Sequence, residues 1–554
     1  MQSPTPDLQL QPPPEEAAPR RRTGRPRPRF AEDTSKQLDP LLGCPDYAVP
    51  DDHLARTVLE QVARIDTSSL EARYSSLGRR GYHPRSVLGV WVYASVVGIH
   101  HASKVAARMK TDQAFLLLSG GQTFSATTLR TFRRENGEFF ANAVQQTISL
   151  AVAAKLLDPE QLAVDGMRLQ AAASTKSVRT VKRSKKRLDE LEGVDRESLS
   201  DEERAEHDAK VAKHAEAVQR CEDEGRTSLS VTDPHAALMK FPNGASLPGH
   251  RIGGTACGVT MRFIVSVLIT SKANDFGQLE ACVRDAHRAL VDAGMPVREG
   301  APRMQVAADP GYLSEADLKF AADNAHWVDV LIHEPPPPKR TVEPGGTPQL
   351  SRDEFTINPD GTAICPAGRQ MHGPFKHGEG RRQWKGDDCA SCPLKAQCTR
   401  GKQRVLTQNI EGDRVRDAMR ERMAEPGAKE RYNKRIATVE PVFSYLQDTM
   451  GFRRSSSRKT ATVHAEIMLK VLAYNLMRLA KGRRCVCAIV SVDCSSGQVA
   501  IIAAWVPWAP TVAERPEVRV IAAKDVRADA RAADGAIVAT AAGAILRPLF
   551  SLTL

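Results

Sequence analysis

The sequence predicts an α/β protein: a mixed sheet with flanking helices, preceded by an all-α N-terminal domain and interrupted by insertions. Three observations lead there. Residues 50–155 carry dense apolar faces at helical spacing. From about residue 250 the pattern switches to β-rich runs that alternate with helix-patterned segments, as in a mixed α/β sheet. Two stretches read as insertions: 178–226, dense in charge with few large apolar side chains, and 335–410, polar and rich in Pro and Gly. At 554 residues the chain has room for more than one domain. Its 78 Lys and Arg against 66 Asp and Glu leave a net charge of +12, which suits a polyanionic partner.

The elements follow in order. Residues 1–45 form a Pro/Arg-rich leader, with six arginines between Arg20 and Arg29, and are expected to be disordered because they cannot bury a core. The leader has no apolar signal segment, and no run long enough to span a membrane occurs anywhere. Eleven cysteines, an odd number, argue against a secreted disulfide framework and for a reducing compartment. Residues 46–158 are expected to be a helical domain. Val87, Leu88, Val90, Trp91 and Ala94 give one apolar face; residues 102–108 and 114–118 follow; Gly120-Gly121 breaks the chain. Ser125 can cap the next helix, which carries Arg130, Arg133 and Arg134. A short helix, a Gly turn and a basic helix suggest a helix-turn-helix DNA reader.

Residues 159–480 hold the α/β domain. Within it, 178–226 reads as a charged helical insertion. Residues 259–269 are long enough for two strands, a helix is expected over 277–293, a strand at 304–308, a helix over 314–324 and a strand at 327–332. Helices resume near Asp413 and run to about Leu479. The extension 481–554 is rich in Ala and Val and receives no role.

Three acids carry the candidate chemistry. Asp165 ends Leu162-Ala163-Val164, and Asp309 ends Met304-Gln305-Val306-Ala307-Ala308. Glu440 lies in a helix-patterned stretch, 432–447. Ile436, Val439, Phe443 and Leu446 form one expected buried stripe, with Glu440 at its border, roughly 40° from Ile436 at about 100° per residue. Two strand-end aspartates and a helix glutamate suit a pair of hard divalent cations, which want oxygen ligands and clamp the attacking and leaving oxygens of a phosphoryl transfer. Any one of these acids alone is unremarkable; the surrounding sequence makes them a site.

Asp165-Gly166-Met167-Arg168-Leu169, followed by Ala172-Ala173-Ser174, resembles the first-aspartate block of bacterial insertion-sequence DDE transposases. Thr232-Asp233-Pro234 and Lys272-Ala273-Asn274-Asp275-Phe276-Gly277-Gln278-Leu279 resemble the region between the acids. Ala308-Asp309-Pro310-Gly311-Tyr312 resembles the second-aspartate block. Tyr432, Arg435 and Val439-Glu440-Pro441-Val442-Phe443 resemble the glutamate helix, with Gly451-Phe452-Arg453-Arg454 and Ala473-Tyr474-Asn475-Leu476 after it. Upstream, Tyr74-Ser75-Ser76-Leu77-Gly78-Arg79 and the helices to Arg134 are similar to the N-terminal DNA-binding region of the same group. The resemblance covers about residues 55–480.

It implies an RNase H-like catalytic domain with two Mg²⁺ or Mn²⁺ ions held by Asp165, Asp309 and Glu440. Water, and then a 3′-hydroxyl, would attack phosphodiester bonds at the element ends. Tyr432 and Arg435 would touch the flanking phosphates, with further DNA contacts from Arg130, Arg133, Arg134, Arg453 and Arg454. The implied partners are double-stranded DNA, at element ends and target, and a second copy of the chain; the implied compartment is the bacterial cytoplasm, at the nucleoid. One position departs from the family pattern. A lysine is usual about two turns after the glutamate, and Gln447 stands there. Glutamine brings no charge to a terminal phosphate, which favours a second reading, a catalytically impaired, transposase-derived DNA-binding protein.

Cys365, Cys389, Cys392 and Cys398 lie in the insertion 335–410. Four thiolates with a central C-x-x-C make a candidate tetrahedral Zn²⁺ site, with His372 and His377 as alternates. A third reading, an unrelated zinc-ribbon nucleic-acid-binding protein, would have the cysteines matter and the acids not.

Overall fold

The computed structural model describes residues 28–39, 43–270, 275–295, 304–335 and 349–483, and two short strands at 487–488 and 502–503. Most of the leader and of the C-terminal extension therefore lies outside the described residues.

The N-terminal part is helical: α1 (Leu54–Ala63), α2 (Pro84–Val96), α3 (Ala102–Arg108), α4 (Gln113–Ser119), α5 (Ala126–Glu135) and α6 (Gly137–Ala153). Ser125 caps α5 as expected, its hydroxyl accepting the Thr128 N–H at 3.0 Å. Gly120 ends α4 in the left-handed conformation, φ 68°, which only glycine adopts without strain. The residues of α2 from Val87 to Val96 are all buried, so this helix is the hub of the domain rather than a half-exposed face.

The sheet is built from β1 (Leu162–Gln170), β2 (Ala237–Lys240), β3 (Ser246–Cys257), β4 (Phe263–Thr270), β5 (Met304–Ala308) and β6 (Val328–Ile332). Between β1 and β2 the charged insertion folds as two helices, α7 (Val181–Glu192) and α8 (Asp201–Asp223). Helix α9 (Leu279–Asp292) precedes β5, and α10 (Glu315–Asp323) joins β5 to β6. The strand order is β2-β3-β1-β5-β6, with β4 also on β3. β3 runs antiparallel to β1 and β4, whereas β1, β5 and β6 are mutually parallel.

One expectation changes here, and one strand has no counterpart among the expectations. Of residues 259–269 only 263–269 are strand, all within the single β4, and 259–262 belong to the turn before it, which has positive φ at Gly258 and Arg262. Its hairpin partner is β3, a strand the composition hides: Gly249, Gly253 and Gly254 look like loop residues. They are there for close approach. A Cβ at Gly253 would stand 3.1 Å from the Cys282 Sγ of α9, and one at Gly254 3.1 Å from the Phe443 ring. These gaps let helices settle directly on the sheet beside β1.

The cysteine insertion has a small core of its own, Phe355, Ala363, Met371, Trp384 and Leu406, under an antiparallel sheet of β7 (His372–Lys376), β8 (Arg381–Lys385) and β9 (Val405–Asn409). Helices α11 (Ile410–Ala424), α12 (Ala428–Thr438) and α13 (Glu440–Ser444) follow, then a π-turn at Tyr445–Thr449 and α14 (Thr460–Arg483).

The single helix expected over 432–447 is broken at Val439. Pro441 has no N–H to give the Ala437 carbonyl one turn back. That carbonyl instead accepts the Arg262 Nε at 2.6 Å. The break turns the faces out of step, so Ile436 is 53% exposed and does not share the buried stripe of Val439, Phe443 and Leu446. Helix α14 anchors this region: Asn475 bonds both backbone groups of Ile264 on β4, at 3.1 and 2.9 Å, and Thr147 of α6 at 3.0 Å. Among the described residues no helix is long and apolar enough to cross a membrane.

Candidate active site

Asp165 is not a strand end, as its sequence suggested. β1 continues five residues beyond it against β3, with Asp165 opposite Gly254. Its pairing with β5, however, stops at Val164 opposite Ala308. Asp165 and Asp309 are therefore the first residues past the last parallel rung of neighbouring strands, where the sheet opens. Each carboxylate is aimed by a nearby amide: the Gly166 N–H donates to Asp165 Oδ1 at 2.7 Å, and the Gly311 N–H to Asp309 Oδ1 at 2.8 Å. Burial raises the Asp165 pKa to about 6, with the Asp309 charge adding to it. Burial likewise raises Asp309, helped by Asp275. Two neighbouring carboxylates that resist joint ionisation are a natural seat for a cation.

A fourth acid sits beside them. Asp275, which the sequence reading placed only within a family block, is paired with Arg251 of β3, Nε to Oδ1 at 2.6 Å plus a second contact from Nη2. The pair is packed under Gly166, where a Cβ would stand 2.9 Å from both Arg251 Nε and Asp275 Oδ1. Gly166→Ala is thus expected to cost about 1–3 kcal/mol by overpacking. Denaturant unfolding checks this; an unchanged midpoint would contradict the tight contact.

Glu440 enters from the start of α13 and is half exposed. Arg435, only 12% exposed, lies between it and the aspartates, with Nη2 3.4 Å from Glu440 Oε1 and Nη1 4.0 Å from Asp165 Oδ2. Its guanidinium also lies over the Tyr432 ring at 5.8 Å. As the side chains stand, no group of three or more His, Cys, Asp or Glu among the described residues is gathered to hold a metal ion. Arg435 supplies the positive charge between the acids instead. The donor set nonetheless suits hard cations, being all carboxylate. Around it the buried Tyr312 hydroxyl and the Arg435 Nε have no hydrogen-bond partner, as expected where something completes the site.

Gln447 falls in the π-turn and its carbonyl accepts the Arg453 Nε at 3.4 Å. Arg453 is already paired with Asp448, while the exposed Arg454 has no partner among the described residues. In the basic helix α5, Arg130 and Arg134 are exposed, the latter paired with Glu135 at 2.8 Å. Arg133 is a correction: it is buried, stacked on Trp91 at 4.8 Å, and bonded to the His100 carbonyl at 2.8 Å and to Glu466 at 3.4 Å. Its neighbours Leu129 and Phe132 are buried too, so that face of α5 packs inward and Arg133 is unavailable to a phosphate.

The four insertion cysteines are half-buried free thiols. Burial raises the Cys398 pKa, and Cys389, Cys392 and Cys365 raise it further, so the four are electrostatic neighbours. His372 opens the edge strand β7 and His377 follows its last residue, so the two exposed histidines stand at opposite ends of that strand.

Two stretches match known families. Residues 44–135 match the family described as Transposase domain (DUF772), and residues 364–480 match Transposase DDE domain. The second match takes in Glu440 and the cysteines but stops short of Asp165 and Asp309. No curated protein matches the chain.

Proposed function

We propose that this chain is an insertion-sequence DDE transposase that binds the terminal inverted repeats of its element and catalyses metal-dependent DNA cleavage and strand transfer; the matches to two transposase domains support the reading. The observation that carries the reading is the pairing of Asp165 and Asp309 at the opening between β1 and β5, with the Glu440 helix packed on the same sheet. The order β4-β3-β1-β5-β6, with only β3 antiparallel to its neighbours, supports an RNase H-like catalytic domain.

Asp165, Asp309 and Glu440 would hold Mg²⁺ or Mn²⁺, which activates the attacking water or 3′-hydroxyl and stabilises the leaving oxygen. Arg435 balances the acids' charge until it turns to a DNA phosphate, where its fork suits bidentate contact. Tyr432 holds that guanidinium from the other side. Exposed Arg130 and Arg454, and Arg134 on leaving its exposed pair with Glu135, would meet the backbone of double-stranded DNA. Cys365, Cys389, Cys392 and Cys398 would take one Zn²⁺ and fasten the insertion beside its Trp384 core. Two copies would act together on paired ends.

A plasmid carrying the DNA that flanks the gene tests the reading: nicking at the element ends with Mg²⁺, and none with chelator, is expected. Gln447, where a lysine is usual, favours the second reading, binding of the ends without cleavage, and the same assay separates the two.

A pH dependence follows. Asp165 must lose its proton to bind a metal. With its pKa at about 6, Mn²⁺ affinity of the metal-free protein should be flat above that pH and fall with acidification below it. In the absence of metal the sign for folding is opposite. The folded pKa lies above the ordinary value, so the stability Asp165 contributes at low pH is lost as pH rises through about 6. Mn²⁺ titrations at pH 5 and pH 7, read by electron paramagnetic resonance, check this; equal affinities would remove Asp165 from the ligand set.

A further inference from the structure

We infer that the root of the charged insertion and the loop after the glutamate helix form one DNA-backbone track leading away from the catalytic strand. The inference rests on the transposase reading and gives a role to the insertion 178–226, which that reading leaves without one.

The track starts at Arg168, three residues beyond Asp165 on β1. Arg168 stands opposite Arg251 of β3 in the antiparallel register. Like charges directly opposite are unfavourable. Arg251 is neutralised by Asp275, but Arg168 has no acid partner among the described residues, and its buried Nε has no acceptor. A half-buried arginine in that position calls for an external anion.

The next residues extend the same charge. Gln170, the last residue of β1, exchanges backbone hydrogen bonds with the loop: its N–H donates to the Arg453 carbonyl at 3.1 Å and its carbonyl accepts the Ser455 N–H at 2.8 Å. Arg454 is thereby fixed against the end of β1. The same loop is tied to the following segment by the Arg458 Nε on the Ala172 carbonyl at 3.0 Å, and to the Asp233 carboxylate by the Lys459 N–H at 3.2 Å. Exposed Lys176 and Lys459 flank this junction, and exposed Lys182 and Arg183 open α7 just beyond it. None of these has a carboxylate partner among the described residues. The contrast with α11 is direct: Arg414, Arg416, Arg420 and Arg422 there are each paired with an acid.

Helix α7 carries a second, separate sign. Its basic residues crowd the first two turns and Asp189, Glu190 and Glu192 the last, with no acid in the first turn. That order opposes the helix dipole. A polyanion lying across the basic end removes the penalty. A strip of uncompensated cations spanning three elements, continuous with the strand of the first catalytic aspartate, fits a phosphate backbone rather than a single small anion.

Counterion release gives a test that needs no knowledge of the element's end sequence. Affinity of the full chain for random-sequence duplex DNA is measured against salt by fluorescence anisotropy. Wild type is compared with Lys176→Ala/Lys182→Ala/Arg183→Ala and with Arg284→Ala/Arg288→Ala/Arg414→Ala, a control that removes three paired arginines and the same net charge. The first variant is expected to lower the slope of log affinity on log salt by about 2–3 and to weaken binding at least tenfold near ~100 mM salt. Arg168→Gln alone should lower the slope by about 1. The control should stay near wild type. An unchanged slope in the first variant, or an equal loss in the control, overturns the track while leaving the transposase reading intact. Failure of wild type to bind duplex DNA at any salt overturns both.

Discussion

Asp309→Ala is expected to lower DNA cleavage by roughly a thousandfold or more while changing DNA affinity by less than about threefold. The size follows from what the carboxylate is asked to do. A metal that stabilises charge in phosphoryl transfer is worth several kcal/mol, and each ~1.4 kcal/mol is tenfold in rate. The separation of rate from affinity follows from where Asp309 sits. It lies at the opening between β5 and β1, beside Asp165 and Asp275, and offers no cation to DNA. Alanine also removes the acceptor of the Gly311 N–H, which caps the short turn Pro310–Tyr312, so a stability loss of about 1 kcal/mol accompanies it. Asp309→Asn keeps an acceptor oxygen for that turn while removing the charge. If the asparagine variant is as stable as wild type and equally inactive, the loss is chemical. Cleavage by either variant at the wild-type rate would end the assignment. Glu440→Gln should show a related but distinct pattern. Glu440 is half exposed and in contact with Arg435, so its loss frees that arginine as well as removing a proposed metal ligand.

The placement of Asp165 and Asp309 at the opening of the sheet was legible from residues alone, for a physical reason. Short apolar runs that end in an acid report where a buried strand reaches its functional edge, and Met304–Ala308 is the strand expected there. Asp165 was found by the same signal, although its strand continues, because the apolar run tracks only the rungs shared with β5. What stayed hidden depended on partners distant in sequence. β3 is rich in glycine because α9 and Phe443 approach it, and glycine read locally signals a loop. Arg251 and Asp275 meet across 24 residues, and no local pattern announces such a pair. The break at Val439 was foreshadowed by Pro441, but a periodicity count passes over one proline if the apolar spacing continues. Arg133 was misassigned because a basic helix has two faces. Composition says that α5 is cationic; only packing says that Arg133 points at Trp91 and Glu466 rather than outward. The insertion 335–410 was legible only as a polar, Pro/Gly-rich segment; its small core around Trp384, whose Nε1 donates to the Gly361 carbonyl at 3.0 Å, was not.

Glu466→Ala is expected to destabilise the protein by about 3–5 kcal/mol, because it strands two buried cations. Glu466 is fully buried in α14, between Arg133 of α5 and Lys470 one turn further on. Burial alone would raise its pKa, but Arg133, Ser456, Lys470 and Ser455 together more than offset this and hold it below the ordinary value. Lys470 is itself buried, donates to Ser95 Oγ at 3.1 Å, and has its pKa pushed down by burial to about 7. Below that pH the cluster holds two cations against one acid, and removing the acid leaves their repulsion unopposed. Lys470 can shed its proton in response; Arg133 cannot. The loss should therefore be larger at pH 6 than at pH 9, and thermal unfolding at both values checks the size and the sign. The same carboxylate accepts hydrogen bonds from Ser455 Oγ at 2.8 Å and Ser456 Oγ at 2.6 Å. Those serines follow Arg453 and Arg454, and Ser455 is pinned to the end of β1. Glu466 thus fixes the N-terminal helices, the loop after the glutamate helix and β1 to one another. Loss of stability in Glu466→Ala should come with weaker, less salt-dependent DNA binding, since Arg454 would no longer be held in line with Arg168. A variant that unfolds earlier yet keeps the wild-type salt slope would separate the two roles and leave Glu466 only a core residue.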